Sequence, residues 1–198
     1  MCIRDRLVGF CSVNPSWGSK AAAEVERCWT AGLQGIGELH PDTQGFELDD
    51  LAITTPTMDL AYQLGIPVLI HTSEPVGHIY PGKGQTTPDK VCRFIENFPT
   101  NTIICAHWGG GLPFYALMPE VLKILKNVYF DSAASPFLYS PQIFNTVARL
   151  LGADRILFAT DFPLIQHRRA IAQVEEVMPP GYERDDILAG NAARLLGL

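Results

Sequence analysis

The chain has 198 residues and a formal net charge of −6, with 47% hydrophobic and 18% charged residues. That length suits a single domain, taken as 1–198, with a substantial core. The acidic balance, with no basic run longer than Arg168-Arg169, argues against a nucleic-acid partner. No apolar run approaches the roughly 18 residues of a membrane span, so no membrane partner is expected. Met1–Arg6 lacks the apolar region of a secretion signal. Cys2, Cys11, Cys28, Cys92 and Cys105 form no Cys-x-x-Cys pair and read as apolar packing in a reducing cytoplasm.

Strand and helix signals alternate along the chain. Leu7–Val13 reads as a strand ending at Asn14-Pro15. Ala21–Ala31 is a run of good helix formers, with Ser19 as its cap and Gly32 as its stop. Leu33–Leu39 is a strand, Asp49–Leu64 a helix stopped by Gly65, and Ile66–Ile70 the next strand. A loop rich in Gly and Pro follows, Thr72 to Thr87; at a barrel mouth such a loop is a lid candidate. Thr87 caps, and Pro88 opens, a helix to Asn97. Thr102–Ala106 is a strand, followed by a Gly109-Gly110-Gly111 turn and a helix to Leu125. Asn127–Phe130 is a strand and Ser140–Leu151 a helix. Arg155–Thr160 is a sixth strand, and helices over Leu164–Val177 and Asp185–Leu196 close the chain.

The strands are short, apolar and bounded by turn residues, as buried parallel strands are. Their spacing fits the period of about 31 residues of a (β/α)8 barrel of about 250 residues. The fold class is therefore α/β, a TIM-like barrel with six of its eight βα units in this chain. The shortfall, roughly 60 residues on the same arithmetic, falls at the N-terminus. The expectation is an N-terminally truncated fragment lacking the first two strands. The competing reading is a complete six-stranded open α/β sheet.

Three of the runs close on a metal-ligating residue: Ile66–Ile70 on His71, Thr102–Ala106 on His107, and Arg155–Thr160 on Asp161. In a barrel the C-terminal strand ends converge on one mouth. Two imidazoles and a carboxylate there look like part of a hydrolytic metal site. Glu38 and His40 end the second strand of this chain and face that mouth or straddle the wall. Asp161 also fits an N-cap before Phe162-Pro163. Trp108 fits either a pocket wall or the tight turn before Pro113. Asp131 reads chiefly as a cap, His78 as a solvated loop residue, and His167 with Arg168-Arg169 as a solvated helix face.

These residues also resemble a family. Gly35 to Phe46 (GIGELHPDTQGF), Ile66 to Thr72 (IPVLIHT), Ala106-His107-Trp108-Gly109-Gly110, Ala159-Thr160-Asp161-Phe162-Pro163 and the ending Ile187 to Leu198 are similar to segments of amidohydrolase-related proteins. The order and spacing of the motifs carry the likeness from Leu7 onward. The resemblance implies a TIM-like barrel with a divalent metal, zinc first, with manganese or iron suited to the same ligands. It implies His71, Asp161 and His107 as metal ligands. Asp161 would take the proton of a metal-activated water, and His107 would polarise the substrate. Trp108, His40 and Glu38 are expected to contact substrate. Relatives usually carry a further His-x-His pair, which this sequence lacks, and often Lys where Glu38 stands.

Three readings follow. The first is a metal-dependent hydrolase acting on a C–N, C–O or C–C bond of a small molecule. The second is a metal-dependent decarboxylase of an aromatic or unsaturated carboxylic acid. The third is an inactive truncated fragment, whose exposed sheet edge leaves a homo-oligomer open.

Overall fold

Each apolar run becomes one stave of a single parallel sheet. The structure, a computed structural model, describes residues 7–198. Met1–Arg6, including Cys2, lie outside the described residues. The strands are β1 (Phe10–Cys11), β2 (Gly35–Leu39), β3 (Val68–Ile70), β4 (Ile103–Cys105), β5 (Val128–Asp131) and β6 (Ile156–Leu157). They pair in sequence order, every pair parallel. Neighbours in the chain are neighbours in the sheet, joined by helical crossovers. This is a partial TIM barrel, as the strand and helix periods predict.

The strands are shorter than the apolar runs, because the ladder gives way to other partners at their ends. In β6 the expected strand runs from Arg155 to Thr160. Beyond Leu157, Phe158 N–H donates to Ile187 O (3.1 Å) and Ala159 N–H to Ser132 Oγ (2.9 Å), so the backbone leaves the sheet with its donors satisfied.

The crossovers are α1 (Ser19–Thr30), α2 (Pro41–Gln44), α3 (Leu51–Leu64), α4 (Pro88–Asn97), α5 (Pro119–Ile124), α6 (Ser135–Leu138), α7 (Ile143–Leu151) and α8 (His167–Val177). The chain closes with α9 (Tyr182–Asp185), a π-turn and α10 (Asn191–Leu196). The longer helices cover the sheet with one apolar face each. Val91, Phe94 and Ile95 of α4 and Ile143, Phe144 and Val147 of α7 are buried in the same core as Ile103, Phe130 and Ile156. Each such side chain contributes about 1.5–3 kcal/mol when fully buried. Buried Asn191 ties the closing helix to β6, its Nδ2 donating to Ala153 O and Ile156 O, both at 2.7 Å. No helix among the described residues is long and apolar enough to cross a membrane.

Several local expectations change. Ser19 is the first residue of α1 rather than its cap; the cap position is Gly18, which makes no side-chain capping bond, while Asn14 Oδ1 accepts from Ser16 N–H to cap the preceding 3-10 turn. Thr87 occupies the cap position of α4 without a capping hydrogen bond. The helix expected up to Leu125 is instead a run of 3-10 turns over His107–Leu117 followed by α5. The cause is local: Trp108, Gly109, Gly110 and Gly111 all take positive φ, and Pro113 and Pro119 remove N–H donors. The short α2, unforeseen in the pattern, is a single turn closed by Gly45 in the left-handed region.

Gly110 packs against the loop that follows β3. Its φ is +60°, and a Cβ there would lie 2.3 Å from the carbonyl oxygen of Ser73. Gly45 also has positive φ, +72°, but a Cβ there would meet nothing within 4 Å. Gly45→Ala is therefore expected to cost about 1–2 kcal/mol from backbone strain alone. Gly110→Ala should cost clearly more, with the melting temperature falling by a further several degrees. Equal losses in thermal denaturation would show that the Ser73 contact adds nothing.

Candidate metal centre and its cavity

Glu38, His71 and His107 meet because three adjacent staves end at one rim. The β2–β3 ladder pairs Ile36 with Val68 and Leu39 with Ile70, so β2 spends three residue steps where β3 spends two. This bulge re-aims the chain at Gly37-Glu38. His71 directly follows β3, and its backbone N–H donates to Leu39 O (2.8 Å), which holds the two rim residues in step. His107 follows β4 after Ala106, whose N–H donates to Ile70 O (3.0 Å).

The side chains point at one another. Glu38 Oε1 lies 3.0 Å from His71 Nδ1 and 3.9 Å from His107 Nε2. One donor atom from each residue falls within 4.8 Å of the other two. His107 Nδ1 is 3.0 Å from Ala133 O. A carbonyl only accepts, so Nδ1 carries a proton, and Nε2 is the ring atom that faces Glu38. Nε2 of His71 is 3.4 Å from Ser73 Oγ. The imidazoles of His71 and His107 meet edge to face, with ring centroids 4.9 Å apart.

The buried Asp131 carboxylate builds the turn that presents His107. Its Oδ1 accepts from His107 N–H (3.0 Å) and Ala133 N–H (2.9 Å). Burial pushes the Asp131 carboxyl above its usual range, against the opposing pull of His107 and the two backbone donors. Burial also pushes Glu38 up, but the hydrogen bond from His71 and the charges of His71, His107 and His40 outweigh it, and its carboxyl sits below the usual range. Glu38 is thus an anion facing two nitrogens, one of which holds a proton in the carboxylate–imidazole contact. A divalent cation binds by displacing such a proton. One carboxylate oxygen and two imidazole nitrogens suit zinc, manganese or iron, so the residues fit a divalent metal.

The imidazoles open onto a cavity of about 420 Å³. His71, His107 and Asp161 line it together with apolar Ala134, Phe137, Leu138 and Leu164. His78, Tyr80, Pro81 and Gly82 come from the loop after β3. His107 (φ 55°), Ala134 (φ 56°) and Asp161 (φ 60°) hold left-handed backbone with side chains other than glycine. Such strain persists only where the surroundings over-determine it, and it gathers at functional sites. A larger cleft of about 660 Å³, between α2 and α4, is lined by Asp42, Glu47, Asp50 and Lys90 and holds no imidazole.

His71 and His107 lie together at the strand-end rim. Asp161 shares their cavity but lies outside the 4.8 Å group, and Glu38, expected at the substrate, takes the place in it. Asp161 does not cap the following helix, which begins at His167 behind Gln166. Trp108 is not a pocket wall: it is fully buried, donates from Nε1 to Ser135 Oγ (2.9 Å) and packs edge-on against Phe144. Its bulk and apolar faces find more cover in the core than at the rim. His40 does not line the cavity either; it stacks on His71. Asp131 supports His107 rather than capping α6, whose cap position is Ala134. His78 and Tyr80 reach the cavity although a lone loop histidine and tyrosine give no sequence signal of it. Arg169 lies over the ring of Phe137, at 4.6 Å, one side chain away from the cavity lining.

The family model described as amidohydrolase matches residues 3–198. Gamma-resorcylate decarboxylase from Polaromonas sp. strain JS666 is 25% identical over 238 aligned positions, covering 98% of this chain and 71% of that protein. The crystal structure of 5-carboxyvanillate decarboxylase from Sphingomonas paucimobilis superposes with a TM-score of 0.80 at 19% identity, covering 99% of this chain and 69% of that one. Dihydroxybenzoic acid decarboxylase from Polaromonas sp. JS666, solved with manganese and the inhibitor 2-nitroresorcinol, gives a TM-score of 0.74 at 22% identity, with 99% and 71% coverage. With the family model matching nearly its whole length and the strand-end imidazoles in place, the chain belongs to the amidohydrolase family.

Proposed function

We propose that this chain is a metal-dependent decarboxylase of a hydroxylated aromatic carboxylic acid. The observation that carries this reading is a carboxylate–imidazole cluster opening onto an apolar-walled cavity of about 420 Å³. That volume lies within the range of about 300–1,000 Å³ typical of small-ligand sites. The similarity to gamma-resorcylate decarboxylase supports it over hydrolysis.

Glu38, His71 Nδ1 and His107 Nε2 would hold a divalent metal, either the zinc expected from the donor set or the manganese found in the dihydroxybenzoic acid decarboxylase. When bound, the ion supplies positive charge against the substrate carboxylate and a neighbouring hydroxyl. Phe137, Leu138 and Leu164 take the ring and exclude water, which strengthens the electrostatics inside the cavity. Ala133 O fixes the His107 tautomer, so Nε2 stays available on the cavity side. Decarboxylation breaks the bond between the ring and its carboxylate, releases carbon dioxide and places a proton on that ring carbon. Asp161 lines the cavity and reaches solvent, so it is assigned the relay of that proton, alongside a share in holding the metal.

The second reading, a hydrolase using a metal-activated water, has only the family match behind it, at the level of the whole family. The two differ in what leaves the substrate. With 2,6-dihydroxybenzoate and added Mn²⁺ or Zn²⁺, carbon dioxide release is expected, and a chelator should abolish it. Ammonia or alcohol release from amide and ester substrates, without carbon dioxide, would select the hydrolase. Neither product from the metal-loaded chain would sink both and leave the inactive reading.

The ligand roles are separable by metal titration. Glu38→Ala and His71→Ala should each weaken metal binding by about tenfold or more and remove activity. Asp161→Ala should lose activity by about 10²–10⁴-fold while weakening metal binding less than Glu38→Ala does. Full metal binding in Glu38→Ala would overturn the cluster as the metal site.

A further inference from the structure

The imidazole of His40 lies flat on that of His71, with ring centroids 3.9 Å apart and planes 8° apart. His71 is therefore held on three sides. His40 covers one face, the ring of His107 meets it at 71°, and Glu38 binds its Nδ1. A nitrogen lone pair lies in the plane of its ring. Whatever fixes that plane fixes the direction from which His71 can bind a cation.

His40 is itself anchored. Its Nδ1 accepts from Thr43 N–H (3.3 Å), which makes it the N-cap of α2. Its backbone N–H donates to Gln44 Oε1 (2.8 Å), and its carbonyl accepts from Gln44 N–H (2.8 Å). Gln44 in turn donates from Nε2 to Val13 O (2.9 Å), and its carbonyl accepts from Asn14 Nδ2 (2.7 Å). Pro41 sets the first helical φ. The stacking ring thus hangs from a turn pinned to the exit of β1, on the far side of His71 from His107's own support. Carboxylates and carbonyls that orient a ligating histidine act through its free ring nitrogen. Here the ring face does the same work.

Resting on the metal reading above, we propose that His40 is a positioning residue: its face-to-face stack sets the ring plane of His71 and with it the metal affinity of the centre. Two substitutions separate the two things His40 does. His40→Asn keeps a good capping acceptor for α2 and removes the ring. His40→Phe keeps the ring face and removes the acceptor.

The experiment measures Zn²⁺ dissociation constants by competition with a chromophoric chelator. It also records the visible spectrum of the Co²⁺-loaded chain and melting temperatures in EDTA. His40→Asn should weaken Zn²⁺ binding by about tenfold and shift the Co²⁺ bands, with the metal-free melting temperature nearly unchanged. His40→Phe should retain the affinity and the bands of the natural chain while its metal-free melting temperature falls by roughly 2–4 °C from the lost cap. Phe as weak as Asn, or both equal to the natural residue, overturns the positioning role. Loss of metal binding in step with loss of metal-free stability in both variants means that His40 only supports the fold, and overturns it too. A natural chain that binds neither ion fails the metal reading itself, which is a different result.

Discussion

The contact between Glu38 and His71 ties together the backbone irregularity, the electrostatics and the cavity. An ionised carboxylate at 3.0 Å from an imidazole nitrogen, half-buried among three histidines, gains from a positive partner beside it. In this chain the partner is the hydrogen bond from His71 Nδ1, a place that a cation would take over. The β2 bulge falls at that contact: an even ladder would carry Glu38 in step with its β3 neighbours, whereas the extra residue turns the chain at Gly37-Glu38. The rest of the rim follows the same logic. Asp131 spends its buried carboxylate on two backbone N–H groups so that His107 can hold left-handed backbone and aim Nε2 at Glu38.

Strain and burial are therefore distributed rather than local. The left-handed residues that line the cavity, His107, Ala134 and Asp161, follow three consecutive strands. Each costs of order 1–3 kcal/mol, and the His107 turn is held by packing below it. Behind the His107 turn stand Trp108, Phe130 and Phe144, all fully buried, with the Trp108 indole N–H satisfied by Ser135. This is why Trp108 belongs to the core. Exposing so large a ring at the rim would forfeit the burial that keeps the adjacent turn in its unfavourable conformation.

Much of the architecture was legible in the chain. Strand-like runs ending on His71, His107 and Asp161 located the rim, because side-chain position at a strand end follows from the strand itself. Alternation of period predicted the parallel sheet for the same reason. What escaped depends on contacts between segments distant in sequence. The bulge at Glu38 is a relation between β2 and β3, and nothing in Gly35–Leu39 alone records it. The stack of His40 on His71 joins residues on successive staves. The cavity lining of His78 and Tyr80 depends on how the loop after β3 folds back, which Lys83 secures by donating to His78 O (3.1 Å) and Tyr80 by donating to Glu74 Oε2 (2.9 Å). The family resemblance pointed to Asp161 as a ligand; geometry instead groups Glu38 with the two histidines, since β2, β3 and β4 are adjacent while β6 lies two strands beyond β4.

That separation has a chemical consequence. A carboxylate inside the ligand group is committed to neutralising the cation, and its basicity falls accordingly. A carboxylate on the cavity wall instead meets substrate and solvent directly. The chain has one carboxylate in each place: Glu38 in the group with the two imidazoles, and Asp161 on the cavity wall at the solvent side. The proposed decarboxylation asks for both, a group to hold the cation that grips the substrate and a group facing the ring carbon that takes the proton.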